Sequence, residues 1–571
     1  MWLAFAVSSS ALAASDPDPD VSADLAAAQK AWNDGDRLGR EAKAAASNGD
    51  ADKSLMLYDQ QDRVYDEAQK NFRKAIGKDP EQPQVLAAYG RFAIMRNQYV
   101  PARVRFEAAL RCPRVKLLLN ESEIATIMRT LGGLADRAGD VNQALDYYTQ
   151  AVSLCPSDPH NPLALAIAFC ALGRPEKATP LLKSWGDEKA DSSGVPLQDL
   201  ALRALGVYTL AVSQEESGHF EEALRAYEMA RVWAMKAGES ENTGVLDHAT
   251  MALERLNDFL DGLRERTVAR EKDNAALVAR KLKPLPDERT EIAEALSAYG
   301  EGLDLKEQAL KDPSFVTALA RARDEHGDQT VKDALMNHPE FDRFQAAINR
   351  FNVTIAKYLR LPQASYQLGL CNFLSGDFKD ARRSVETALA YSPYNLAALN
   401  LLGEVLLETG QGDQAAETFK KLLALNPESG SAHFGLGRAL FYLQRNQRDC
   451  EAALAELDRA EELGLRDKSL YSNQVLVRKD GTELEGGIHP KDGGYIVELG
   501  DGTSVTVANA DVQELTTKPG LRAKLAERIQ RFEHGEPAVH GPVLRGHLAP
   551  HAPTGPDAVM DPWRGGGLDG Q

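Results

Sequence analysis

Small and aromatic apolar residues return along this chain at helical spacing. Ala144 is followed four places on by Tyr148, three further by Ala151 and five beyond that by Pro156. The same order reads Ala68, Phe72, Ala75, Pro80, and then Ala102, Phe106, Ala109, with Pro113 one place early. It returns as Ala223, Tyr227, Ala230, as Ala381, Val385, Ala388, Pro393, and as Ala415, Phe419, Leu422, Pro427. The steps Ala68 to Ala102, Ala144 to Ala178 and Ala381 to Ala415 are each 34 residues, the period of a helix-turn-helix repeat. The pattern predicts an array of paired helices.

Upstream of these alanines a small residue stands twelve places earlier and a glycine five places earlier. Gly132 and Gly139 precede Ala144, Ala166 and Gly173 precede Ala178, Gly369 and Gly376 precede Ala381, and Gly403 and Gly410 precede Ala415. The early small residue lets two helices approach closely, and the later glycine supplies the left-handed turn that ends the first helix. The proline ends the second.

This grammar resembles the tetratricopeptide repeat. Units read at 49–80, 83–114, 125–156, 159–192, 204–237, 362–393, 396–427 and 430 to about 464. The first has a poor first helix, the fourth carries Leu182 and Trp185 where aromatic and alanine belong, and the last has an insertion around Gln444 to Arg448. The resemblance implies a mainly α fold, a tetratricopeptide-like α-solenoid in two arrays, over 24–263 with a capping helix and over 362–466. Residues 264–361 lose the period and read as a helical connector or divergent repeats.

Beyond 474 the hydrophobic period changes from helical to alternating. Val475 to Val477, Tyr495 to Val497 with Leu499, and Val505 with Val507 are short β-type runs. Asp480-Gly481, Asp492-Gly493-Gly494 and Asp501-Gly502 between them are hairpin-turn signals. They predict a small all-β, SH3-like module over 474–516, similar to β modules appended to bacterial repeat proteins. A helix over 519–533 and a Pro-, Gly- and His-rich disordered tail over 534–571 follow.

Charge and chemistry narrow the function. The formal charge of -18 opposes nonspecific attraction to phosphate backbones, which argues against nucleic acid. No apolar run reaches the 18 or so residues that cross a bilayer. The five cysteines have no CxxC or zinc spacing. They read as free thiols, with a Cys112–Cys155 disulfide as the alternative. His534, His540, His547 and His551 lie in the tail with nothing to preorganise a metal. The Asp-Gly pairs lack a calcium-loop pattern. No H-E-x-x-H, G-x-S-x-G, Walker A or G-x-G-x-x-G motif occurs. Neither catalysis nor a cofactor is expected. A hydrolase would need a site that none of these motifs marks.

At the N-terminus, Trp2 to Val7 and the Ala11-Leu12-Ala13-Ala14 stretch read as a truncated signal peptide over 1–14, followed by an Asp-Pro linker over 15–23. The alternative is a disordered cytoplasmic start. Export would place the protein in the periplasm or at the cell envelope.

The resemblance also implies a binding face, lined by the first helix of each repeat. In the second array its partner-binding residues are Tyr366, Leu370 and Phe373, then Asn400 and Glu404, then Phe434, Arg438 and Phe441. The rings would anchor a partner peptide or helix while Asn400, Glu404 and Arg438 orient it. Alternatively, the rings pack against neighbouring helices. A two-carboxylate clamp of the chaperone-binding kind is not expected, since only Asn400 and Arg438 have suitable chemistry. Glu404 and Glu408 read as a solvated pair. The function expected is a noncatalytic protein-protein interaction scaffold. The alternative is an accessory assembly subunit of an envelope machine such as a pilus, secretion or polysaccharide system.

Overall fold

The computed structural model describes residues 19–186, 197–238, 244–324, 329–443, 446–471, 473–479, 482–491, 494–499 and 504–533. The signal-peptide stretch, most of the Asp-Gly turn residues and the histidine tail lie outside the described residues.

The first helix starts within the expected linker, at Pro19, and runs to Ser47 against a single long helix, Ala51–Lys78. Residues 49–80, read from sequence as a helix-turn-helix, are therefore one helix. Trp32, Tyr65 and Phe72 on this hairpin are buried with Phe92 of the next unit.

Paired helices follow. They are Pro83–Met95 with Tyr99–Arg111, Glu121–Arg137 with Val141–Leu154, His160–Ala171 with Pro175–Leu182, and Leu197–Glu216 with Phe220–Ala237. The second array pairs Pro362–Leu374 with Phe378–Tyr391, Leu396–Glu408 with Gly412–Leu425, and Gly430–Leu443 with Gln447–Glu462.

One packing contact explains the spacing of small and aromatic residues. A Cβ on Gly90 would lie 2.8 Å from the Phe106 ring, on Gly132 2.6 Å from Tyr148, and on Gly403 2.5 Å from Phe419. In each pair the aromatic stands sixteen residues after the glycine. The ring occupies the space a side chain on that glycine would need, so the two helices can touch. Asp140, Asp377 and Asn395 cap second or first helices through their side chains, satisfying N–H groups that the helix start leaves open.

The same contact reveals a repeat inside the connector. A Cβ on Gly302 would lie 2.8 Å from the Phe351 ring, and Ala347, Phe351 and Thr354 keep the anchor spacing, each fully buried. Glu288–Ala309 and Phe341–Lys357 thus form a repeat, with Pro313–Asp324 and Gln329–Met336 inserted between its two helices. The remaining connector element is a 35-residue helix, Val245–Ala279.

The β module consists of β1 (Asn473–Arg478), β2 (Glu483–Lys491), β3 (Gly494–Leu499), β4 (Ser504–Ala508) and β5 (Val512–Lys518). They form one antiparallel sheet in the order β4-β3-β2-β1-β5, with a 3₁₀ turn, Asn509–Asp511, before β5. Leu476, Val497 and Val507 are its buried centre. After it, Leu521–Glu533 returns to the last repeat, where Leu521 and Leu525 are buried with Phe434, Phe441, Leu457 and Leu470. The sheet is therefore an insertion between the last repeat and its terminal helix.

Candidate partner-binding face

The eight residues expected to line the open groove are all buried, each no more than 8% exposed. Phe373 is fully buried. Its ring meets Phe378 edge-on at 5.8 Å between centroids, and the buried Arg323 guanidinium stands 5.8 Å from it. Tyr366 and Leu370 share a core with Phe344 and Phe351 of the connector repeat. Phe434 and Phe441 are covered by Leu470, Leu521 and Leu525. The sequence reading of these rings as open anchors is corrected: they pack between helices.

Glu404 and Arg438 are committed to one another. Arg438 Nη1 donates to Glu404 Oε2 at 2.7 Å, and its Nη2 lies 3.6 Å from Glu408 Oε1. The Glu404, Glu408 and Arg438 side chains are 10%, 17% and 6% exposed, so Glu404 and Glu408 are no solvated pair. Burial opposes the guanidinium charge, yet the two carboxylates hold the Arg438 pKa above its ordinary value. Asn400 is buried beside them on the same helix as Glu404. The pair had a legible signal, since opposite charges stand one 34-residue period apart on equivalent positions.

The two arrays also meet directly, through residues that flank the last repeat. Arg137 ends a first helix of the first array, and its Nη1 lies 2.6 Å from Glu428 Oε2, just before the last repeat. The guanidinium sits 4.0 Å over the Tyr99 ring, and Tyr99 donates its hydroxyl to Glu428 Oε1 at 3.1 Å. Leu463 is buried among Leu86, Leu131 and Leu134. At the same junction a Cβ on Gly464 would lie 3.6 Å from that of Ala138. The second and third helical units thus touch the last repeat.

A second junction joins the arrays through polar groups. Arg174, after the turn at Gly173, pairs with Asp304 at 2.9 Å and Glu307 at 2.6 Å. Gln363 of the second array donates to Glu216 Oε1 of the first. Lys306, whose pKa is lowered by burial, donates to Gln367. Gly173 has φ +69°, and a Cβ there would lie 2.2 Å from the Tyr299 hydroxyl. Glycine suits the position in backbone and in space.

Glu216 gives this junction a pH dependence. The residue as a whole is half-buried, and its Oε2 is fully buried. Burial, and then the charge of Glu215, push its carboxyl up to about 8 from an ordinary 4.5. Between those values the folded chain holds a proton that the unfolded chain has lost, so stability falls as pH rises. Glu216→Gln is expected to flatten this slope. Thermal melts from about pH 5 to pH 8.5 should show a smaller fall for the variant than for the parent, whereas equal slopes would place the titration elsewhere.

Outside the closed interior, a recess of about 530 Å³ lies between Phe220–Ala237 and Val245–Ala279. Leu224, Met229, Val232, Leu253 and the buried Trp233 line it with Arg225, Glu228, Lys236 and Asn257. The Arg203 guanidinium stands 4.5 Å from the Trp233 ring centroid. Val232 and Met235 are 39% and 63% exposed. The five cysteines are free, with Cys112, Cys371 and Cys450 buried. Among the described residues no helix is long and apolar enough to cross a membrane, and no group of three or more His, Cys, Asp or Glu is placed to hold a metal.

Comparison with known proteins agrees with the repeat architecture. Over 453 residues, 73% of its length, the chain is 23% identical to cellulose synthase operon protein C of Pseudomonas fluorescens. It spans 33% of that relative's length. Solved structures with similarity include the TPR2AB domain of yeast Sti1 in complex with an Hsp90 peptide, at 12% identity, 55% of this chain, 98% of that one and a TM-score of 0.20. Yeast Tom70 matches at 14% identity, 67% of this chain, 85% of that one and a TM-score of 0.21. At such scores neither overlay carries weight. Residues 373–436 match the family profile described as tetratricopeptide repeat, and with the glycine-on-ring contact recurring through both arrays, the helical repeats of this chain are tetratricopeptide repeats.

Proposed function

We propose that this protein is a noncatalytic scaffold that holds a partner protein within a bacterial envelope assembly concerned with polysaccharide. The observation that carries the reading is the extent of its repeat architecture together with similarity, over most of the chain, to a cellulose synthase operon protein. Repeat solenoids hold partners by presenting extended surface. Here the first helices of the second array are covered by the chain itself, so the partner's peptide or helix is taken on the outer surface. The recess between Phe220–Ala237 and Val245–Ala279 offers exposed Val232 beside Leu224, Met229 and Leu253, with Arg225, Glu228 and Lys236 at its rim, a combination that suits an amphipathic segment. Residence in the periplasm or at the envelope is part of the same reading.

The test is amine crosslinking in native cells, fractionated before capture, with mass spectrometry of linked peptides. Linkage of Lys236 to a protein of the envelope fraction is the result expected. Capture of soluble cytoplasmic proteins alone would overturn the placement, and links that bypass Lys236 for Lys420 and Lys421 would move the binding face to the second array.

A further inference from the structure

The 35-residue helix Val245–Ala279 outruns its support. From 264 to 287 no residue is buried. The projection is nevertheless held in shape by its own side chains. Asn274 donates to the Leu285 carbonyl at 2.9 Å and accepts from the Leu285 amide at 2.7 Å. Arg270 donates to the Pro286 carbonyl at 2.7 Å and pairs with Glu291 at 2.6 Å. The helix closes in a double turn, with Leu282 N–H on the Leu277 carbonyl and Lys281 N–H on the Val278 carbonyl, both at 2.9 Å. Lys281 takes the left-handed position, φ 58°, that glycine usually fills. The chain keeps a lysine where its backbone favours glycine.

The composition of this tip runs against that of the whole protein. Between Asp273 and Asp287 there is no carboxylate, while Arg280, Lys281 and Lys283 are all exposed. Among the described residues none of the three takes part in an ion pair. Val278, Leu282 and Leu285 beside them are 58%, 54% and 50% exposed. Pro284 and Pro286 have no N–H to desolvate. Cations alternating with exposed leucines on a preorganised turn match an interface that is negative outside and apolar beneath. A protein partner is a poorer fit, because a convex turn of nine residues presents far less than the roughly 800 Å² per side of a stable interface. A bilayer deforms around a tip, and its attraction adds up charge by charge.

We propose that the projecting tip from Val278 to Pro286 docks the protein on an anionic lipid bilayer, with Leu282 and Leu285 entering the headgroup layer and Arg280, Lys281 and Lys283 binding lipid phosphates. The inference stands on the tip alone and does not depend on the partner recess.

The full chain should cosediment with vesicles of phosphatidylcholine and phosphatidylglycerol and not with phosphatidylcholine alone. Each cation near such a surface is worth about fivefold in partition, so Arg280→Gln, Lys281→Gln and Lys283→Gln together should lower it about a hundredfold. Leu282→Ser with Leu285→Ser should lower it too, at unchanged helical melt. Equal sedimentation of parent and triple variant, or equal binding to both vesicle types, would overturn the proposal. Retention by an immobilised polyglutamate through these cations, without vesicle binding, would also overturn it and assign the tip to an acidic protein.

Discussion

Alanine at Phe373 and Phe434 together will melt the second array. Phe373 is fully buried between Phe378 and Arg323, and Phe434 is buried against the terminal helix. Truncating a buried phenylalanine costs about 3–5 kcal/mol through lost transfer and the cavity left behind. The two sites lie in different clusters, so their losses should be close to additive. Circular dichroism should show a large fall in melting temperature for the pair and about half of it for each single change. A melt indistinguishable from the parent, with only partner capture lost, would mean that the rings are free docking surface.

The second large effect concerns Glu404 and Arg438. Removing one member of a buried ion pair strands the other, which costs about 3–5 kcal/mol. Arg438→Met leaves the Glu404 and Glu408 carboxylates without their cation, and Glu404→Leu takes from Arg438 its 2.7 Å partner and leaves the 3.6 Å contact to Glu408. The double replacement removes both buried charges and should recover most of the loss, since apolar packing often matches a buried pair. Denaturation of the four proteins gives a coupling energy directly. Additive losses would show that the charges are solvated and independent.

The helical period was legible because each repeat writes its own packing contact into sequence. A ring must lie on a residue without a side chain, and the turn between the helices fixes their separation, as at Gly132 with Tyr148 and Gly403 with Phe419. Where an insertion stretches that turn the contact survives and the spacing does not, which hid the repeat built on Gly302 and Phe351. The β-type runs were legible from alternation, and their order in the sheet was not. The groove misled for a different reason. First-helix positions can be assigned from the repeat, but what covers them is set by distant chain. Leu521 reaches Phe434 across the whole β module, and Glu428 meets Arg137 from the opposite end of the solenoid. No local pattern encodes either meeting. The Glu404–Arg438 pair, one period apart, was open to detection by comparing charges at equivalent positions of successive repeats.

The packing of the last repeat back against the first array is the long-range contact that joins the two arrays. It is tested by a paired substitution, Ala138→Cys with Gly464→Cys. A Cβ built on Gly464 lies 3.6 Å from the Ala138 Cβ, within the roughly 3.5–4.5 Å that a disulfide spans. The cysteine at 464 would bear a φ of +98°, a strain of about 1–2 kcal/mol. Mild oxidation of the purified full chain, followed by peptide mass spectrometry, should recover the linked pair in high yield, with the protein running faster on a nonreducing gel. Two free thiols that both label with maleimide and never link would contradict the contact between the arrays.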